Sequence, residues 1–492
     1  MEKLKVLMLL LLCCGCHPAL AKQQPPNREP NQPDYSKPIP PEKLKEDLDF
    51  LFKTIEEVHP NMYAYTTKQE FEPLKKQLYK KISKPMSPLD FYKTVAPVVA
   101  SLKSGHTYIQ PFSDELKQFM AKGGSVFPLA LRWDNLKLII SKNFSSSELP
   151  LGATLLTINS CQASEIFNEF ARLVPSENKN INPSVIERPE IFGWLLYLKY
   201  GPVKSWNVEV KCADGTISKY MLSPVPLTVI TGAPVVSDDG KTKNHHKYLT
   251  QYDTVVLEIN SFGSHLAKFE EFLREVFQEI HDKSVHDLIV DVRKNPGGSD
   301  MNADALLEYL TGKPYRQFEK AQIKLSSQDE QGIAPLRKQS PGLFEDKKIG
   351  DFITLELPLK TPPENPMRFE GKTFVLIGPH SFSTTTSFAS AVKCFGIGKL
   401  IGEETGDPTV LYGNAIDDRL PNTGLTVAVP GRAFVLAGGK PDGHGVIPDY
   451  EVKQKPEDTA KGVDTVLQFT LELIKKSDHN VHSDEGSREK TR

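Results

Sequence analysis

Cysteine is scarce. The 492-residue chain has six, and three of them, Cys13, Cys14 and Cys16, crowd its start. Cys161, Cys212 and Cys394 remain, an odd number, so no disulfide framework is indicated. A single Cys161–Cys212 bridge is one reading, and three small buried residues is the other. Their spacing matches no metal site. An excess of one charge is also missing: 60 Lys and Arg against 62 Asp and Glu leave a net −2. Neither nucleic acid nor an anionic membrane surface is therefore favoured as a partner. Specificity has to come from a pocket.

Near the start, the apolar run Val6 to Leu12 is too short to span a bilayer. It follows Lys3 and Lys5 and precedes the small-x-small triplet Ala19-Leu20-Ala21, which together read as a signal peptide over 1–21. A competing reading takes Cys16, after Gly15, as a lipid anchor. Both put the protein outside the cytoplasm, in the periplasm or at the cell envelope. Residues 22–40, rich in Pro and Gln, read as a disordered linker, and 476–492 as a disordered tail.

Length alone suggests about two to four domains. Over 41–121 the signal is helical. Leu44, Leu48, Leu51, Phe52 and Ile55 share one face, Phe71, Leu74, Leu78 and Ile82 repeat the pattern, and a third helix runs from Ser87 to about Leu102. Over 122–226 the texture changes to short strands, with one helical stretch near Ser164 to Leu173. Over 227–475 strands and helices alternate, as in a layered α/β domain. Leu288 to Val292 is an unbroken apolar strand, expected where a sheet is covered on both faces. A polar segment at 312–370 interrupts the alternation.

Four segments could carry chemistry. The strand Phe374 to Ile377 ends at Gly378-Pro379, and a helix follows from Thr384. A hydroxyl at Ser381 or Ser383 stands on the turn between them, beside free N–H groups and the positive end of the helix dipole. That suits an acyl-transfer nucleophile, although helix capping would explain the same residues. Asp291 to Gly298 runs a buried strand into Gly297-Gly298, whose amides could hold an oxyanion. His106 follows Ser104-Gly105, and Asp442 and His444 lie on a glycine-rich turn leading to Asp449.

In order and spacing, these segments resemble the tail-specific, C-terminal-processing serine proteases. The matching motifs are Ser104-Gly105-His106-Thr107, Asp291 to Gly298, Ser381-Phe382-Ser383, Ile401 to Gly406 and Asp442 to Asp449. The stretch Leu151 to Asn159 likewise resembles the core of PDZ domains. The resemblance implies a crotonase-like α/β core, an N-terminal helical subdomain and a PDZ-like β-rich domain. The branch of the family that uses a lysine base places it 25 residues after the nucleophile, where this chain has Pro408. Lys399 and Lys440 are poor substitutes. The tricorn-like branch uses a Ser-His-acid arrangement instead, which implies Ser383 as nucleophile, His106 as base and Asp442 as the orienting acid. Gly297, Gly298 and Thr384 would form the oxyanion hole, and Ser104 would support His106. His380 is a stand-in base at a position that the family does not use. The implied activity is an exported serine endopeptidase acting on polypeptides without metal or cofactor. The alternatives are an inactive relative that binds a peptide or hydrophobic ligand in the same cleft, and a PDZ-type adaptor.

Overall fold

The computed structural model describes residues 37–110, 119, 123–134, 136–177, 181–231 and 244–488. The signal peptide, Cys16 and most of the linker expected from the sequence lie outside the described residues. Three helices open the described chain: α1 (Pro41–Val58), α2 (Lys68–Lys81) and α3 (Pro88–Ala100). On α1, Leu44, Leu48, Leu51, Phe52 and Ile55 are buried along one face, as a 3.6-residue period requires. Thr67 and Glu70 close a capping box on α2, and Ser87 caps α3 through the Asp90 amide. On α2 the expected face is only partly covered, since Leu74 is 37% exposed. After α3 the chain passes Ser104 to Thr107 and enters a short strand, β1 (Tyr108–Gln110).

The strand-rich region folds as an antiparallel sheet of β2 (Leu129–Asp134), β3 (Lys137–Asn143), β4 (Thr154–Ile158), β5 (Trp206–Lys211) and β6 (Ile217–Leu222), in that spatial order. Between β4 and β5 run three helices, the longer two being α4 (Ala163–Ala171) and α5 (Pro189–Tyr200). The sequence reading misses α5. It buries Phe192, Trp194, Leu195, Leu196 and Leu198, and a segment apolar on all sides carries no period to read. The cysteines also differ from expectation: all three are free, and Cys161 and Cys394 are exposed.

The remainder alternates as expected. Its elements are β7 (His245–Leu249), β8 (Thr254–Glu258), α6 (Leu266–Asp282), β9 (Asp287–Asp291), α7 (Asp300–Leu310), β10 (Phe318–Lys324), α8 (Glu330–Gln339), β11 (Phe352–Glu356), β12 (Lys372–Ile377), α9 (Thr384–Cys394), β13 (Lys399–Gly402), β14 (Val410–Arg419), β15 (Thr426–Leu436), β16 (Tyr450–Glu451) and α10 (Thr465–Arg488). One sheet has the order β7-β8-β9-β12-β13-β16 and is parallel from β8 onward. Its strands alternate between two cores. Leu288, Val290, Val375 and Ile377 pack with residues of α6, α7 and α9, whereas Ile289, Phe374 and Leu376 pack with residues of α10. Burial on both faces is what makes β9 and β12 read as unbroken apolar runs.

A second sheet, β1-β15-β10-β11 with β14 on β15, uses the polar segment at 312–370. That segment is therefore part of a sheet and not a mere interruption. This sheet also fastens the N-terminal helices to the core, because β1 pairs with β15 through Tyr108 and Ala428. At the other end, α10 continues to Arg488, past Lys476, where the sequence suggests an unstructured tail. Polarity alone says little about backbone helicity.

Candidate active site

Ser383 sits where β12 gives way to α9, and the turn is held by bonds among the motif residues. Ser381 Oγ donates to Val292 O at 2.8 Å and accepts from Gly378 N at 3.1 Å. Phe382 N donates to Asn295 O, and Gly406 N donates to Ser381 O. These bonds tie the ends of β9 and β12 together and leave Ser383 at φ +55°, ψ −125°. A non-glycine residue in that region stores about 1–3 kcal/mol of strain, a feature concentrated at functional sites. The Ser383 side chain makes no capping hydrogen bond to α9, which removes helix capping as its role. Its Oγ lies 3.4 Å from His106 Nε2. That is long for a strong hydrogen bond, but within a small rotamer change of one.

His106 reaches this point because β1, two residues on, is paired into the second sheet. Its ring stacks on Phe382, with centroids 4.8 Å apart and planes 23° off parallel. Burial pushes its pKa down to about 4, so the ring is neutral and can accept a proton. The other nitrogen, Nδ1, is out of reach of solvent and has no hydrogen-bond partner among the described residues.

The acid near His106 is not Asp442. Asp442 is exposed, and its Oδ1 accepts from the His444 amide at 3.0 Å. Its loop is held from below by Glu404, whose Oε1 accepts from Gly445 N at 2.7 Å and lies 3.2 Å from His444 Nδ1. Two other carboxyls occupy the space. A ring nitrogen of His106 and one oxygen each of Glu177 and Asp407 lie within 4.8 Å of one another. Glu177 comes from the strand-rich region, just after α4, and accepts from the Gly105 amide through Oε1. A Cβ on residue 105 would meet Glu177 Oε2 at 2.6 Å, which explains the glycine beside the histidine. Asp407 is 1% exposed, and its Oδ2 accepts from the Ser383 amide at 2.6 Å. Burial pushes Glu177 up to about 7. Burial, and then the charge of Glu177, hold Asp407 well above the usual carboxylate range. Two close buried carboxyls cannot both ionise cheaply.

Residues 253–452 match the family model of peptidase family S41. That segment of the chain is similar to peptidase family S41. The family consists of serine peptidases. Among solved structures, mature CPAF complexed with lactacystin is similar over 90% of this chain and 99% of its own, with a TM-score of 0.62 at 16% identity. A point mutant of CPAF gives a TM-score of 0.64 at 14% identity over 89% and 97% of the two chains. At such identities the likeness is one of fold. No curated protein sequence matches the chain.

The other expected residues divide. Ser104 is buried but turned away from His106: its Oγ lies 3.1 Å from His59 Nε2 and accepts from Thr107 Oγ1. His59 Nδ1 accepts from the Asn61 amide, so its proton is on Nε2 and points at Ser104. Burial lowers the His59 pKa to about 3. Sequence reasoning missed His59, Glu177 and Asp407. Only Asp407 carried a signal, through its place at the end of the Ile401 to Gly406 motif. His380 lies 3.5 Å from Glu187, so it has a carboxylate partner of its own. Lys399 and Lys440 are exposed.

At the oxyanion side, Gly297 has φ +104° and Gly298 φ +143°. A Cβ on residue 297 would lie 2.8 Å from Ser383 Cβ and 3.1 Å from Thr384 N, so glycine keeps open the approach to the nucleophile. The Gly297 amide is already used, donating to Asn295 Oδ1 at 2.9 Å. Gly298 and Thr384 remain as candidate donors. Thr384 Oγ1 contacts both Gly298 O and Asp300 Oδ1 at 2.8 Å, which joins the two segments.

Proposed function

We propose that this chain is an exported endopeptidase that hydrolyses polypeptides through an acyl-enzyme on Ser383. The observation that carries the reading is a strained serine at a strand-to-helix turn with a neutral, buried histidine 3.4 Å from its oxygen. His106 Nε2 takes the proton as Ser383 Oγ attacks the peptide carbonyl. The imidazolium so formed needs an acceptor at Nδ1, and the Glu177–Asp407 pair, sharing one negative charge, stands beside it. The Thr384 and Gly298 amides hold the tetrahedral oxyanion, and Thr384 stands at the N-terminus of α9, where first-turn amides are free. His106 then returns the proton to the leaving amine, and water repeats the cycle on the ester.

The wider reading goes with this one. The parallel sheet between helical layers suits a crotonase-like core, and the strand-rich region suits a PDZ-like module that engages substrate. The positive, apolar and small-residue sequence of the first 21 residues supports export to the periplasm or envelope, with Cys16 as an alternative lipid anchor. The exposed position of Asp442 favours a second reading, an inactive relative that binds peptide in the same cleft. A fluorophosphonate probe separates the two. Covalent labelling of Ser383 in the folded chain, mapped by mass spectrometry, is expected of the peptidase. A folded chain that stays unlabelled at every pH would be the binding protein.

A further inference from the structure

Three buried polar atoms of the site have no hydrogen-bond partner among the described residues: His106 Nδ1, Glu177 Oε2 and Asp407 Oδ1. They belong to the three residues whose ligand-type atoms gather within 4.8 Å. One unpaired atom is a defect, but one on each of three neighbouring ligand-type residues is the pattern of a ligand site. A proton shared between the carboxyls serves Glu177 and Asp407 and leaves the imidazole out. A cation takes a lone pair from all three. The opposite oxygen of each carboxyl is already held, Glu177 Oε1 by the Gly105 amide and Asp407 Oδ2 by the Ser383 amide. Such outer bonds orient ligating carboxylates in metal sites.

We propose that His106, Glu177 and Asp407 bind one divalent cation of the Zn2+ class, and that binding switches the peptidase off. One imidazole nitrogen with two carboxylate oxygens is a donor set for Zn2+ and its first-row neighbours. It has too few oxygens for Ca2+, and Mg2+ is a poor partner for imidazole. Tetrahedral bonds of about 2.0–2.2 Å put ligand atoms roughly 3.3 Å apart, so the side chains close in slightly on binding. Inhibition follows from the tautomer. A neutral imidazole that gives its Nδ1 lone pair to a cation carries its proton on Nε2, and Nε2–H cannot accept the proton of Ser383. The inhibitory half of the proposal rests on the peptidase reading, whereas the binding half does not.

The test uses the full chain stripped with EDTA. Equilibrium dialysis against Zn2+ is expected to give one ion per chain, and Co2+ in its place an intense tetrahedral visible spectrum. Glu177→Gln is expected to weaken binding on the order of 100-fold, while Asp442→Asn leaves it unchanged. Asp407→Asn, checked for folding by circular dichroism, repeats the loss from a second position. Mg2+ at the same concentration should not compete. Fluorophosphonate labelling of Ser383 should fall at least about tenfold when the site is full, and recover with EDTA. Absence of stoichiometric binding, or binding indifferent to Glu177→Gln, overturns the site. Binding without any fall in labelling overturns the inhibition. A chain that binds Zn2+ but is never labelled, even after EDTA, sinks the peptidase reading and leaves the cation site standing.

Discussion

The two sides of the cleft are built in different ways. Ser383 stands on a turn whose bonds run between two short segments, Val292 to Gly298 and Gly378 to Ser383, that follow adjacent strands of one sheet. The wall around His106 is assembled from three distant stretches. The turn before β1 supplies the histidine, the strand-rich region supplies Glu177, and the loop before β14 supplies Asp407. The nucleophile side needs an unusual backbone, so glycines and small hydroxyls announce it. The base side needs charge and exclusion of water, which any carboxyl brought there by the fold can provide. Motifs therefore mark where the backbone is special and are silent about where the field comes from.

The comparison breaks most visibly if both sides are not needed. Ser383→Ala is expected to cut peptidase turnover by about 10³-fold or more, and His106→Ala by a similar factor, because members of such a unit act together. Steady-state kinetics on an unfolded polypeptide, with melting curves as the folding control, check both. Activity that survives His106→Ala would mean that the base lies elsewhere and that the 3.4 Å approach is incidental.

A smaller effect decides between motif and geometry. Asp407→Asn removes the charge-assisted bond to the Ser383 amide and the charge behind His106. A loss of about 10- to 100-fold in kcat is expected, with KM little changed. Asp442→Asn alters an exposed loop and should leave kcat within about twofold, as surface changes usually do. If the two results were exchanged, the motif would have been the better guide and Asp442 would move into the site during turnover.

Much of the architecture was legible for physical reasons. The faces of α1 and α3, the apolar strands β9 and β12, and α7 from Asp300 to Leu310 all carry a period or a burial pattern that the residues display. The helix α5 and the sheet built from β10, β11, β14 and β15 were not legible. The first is apolar all round, and the second joins strands far apart in the chain. Within the site, Ser383, His106, Gly298 and Thr384 could be read, because turn glycines and hydroxyls at a strand end are local signals. Asp442 was misread, because a glycine-rich turn looks the same whether it points into a cleft or into water. Glu177 could not be read: a glutamate after a helix is ordinary, and only its contact with Gly105 gives it meaning.

The smallest expected effect tests that contact through the pH dependence of stability. Glu177 is raised to about 7 from an ordinary 4.5, so the folded chain binds its proton more tightly than the unfolded one. The stability it contributes is fully present below about pH 4.5 and is lost as pH rises through about 7. His106 acts in the opposite direction. Its value falls from 6.5 to about 4, so stability is lost as pH falls from 6.5 through 4. Between about pH 4.5 and 6.5 the two oppose each other, and the wild-type melting temperature should change little there on their account. Glu177→Gln removes the first and exposes the second. The Tm of the variant, measured against wild type at the same pH, is expected to climb by a few degrees between pH 4.5 and 7, a change of about 1–3 kcal/mol in stability. A difference that stays flat across that window would mean that Glu177 is not held protonated beside Asp407. The strand-rich region would then touch the base side of the cleft without tuning it.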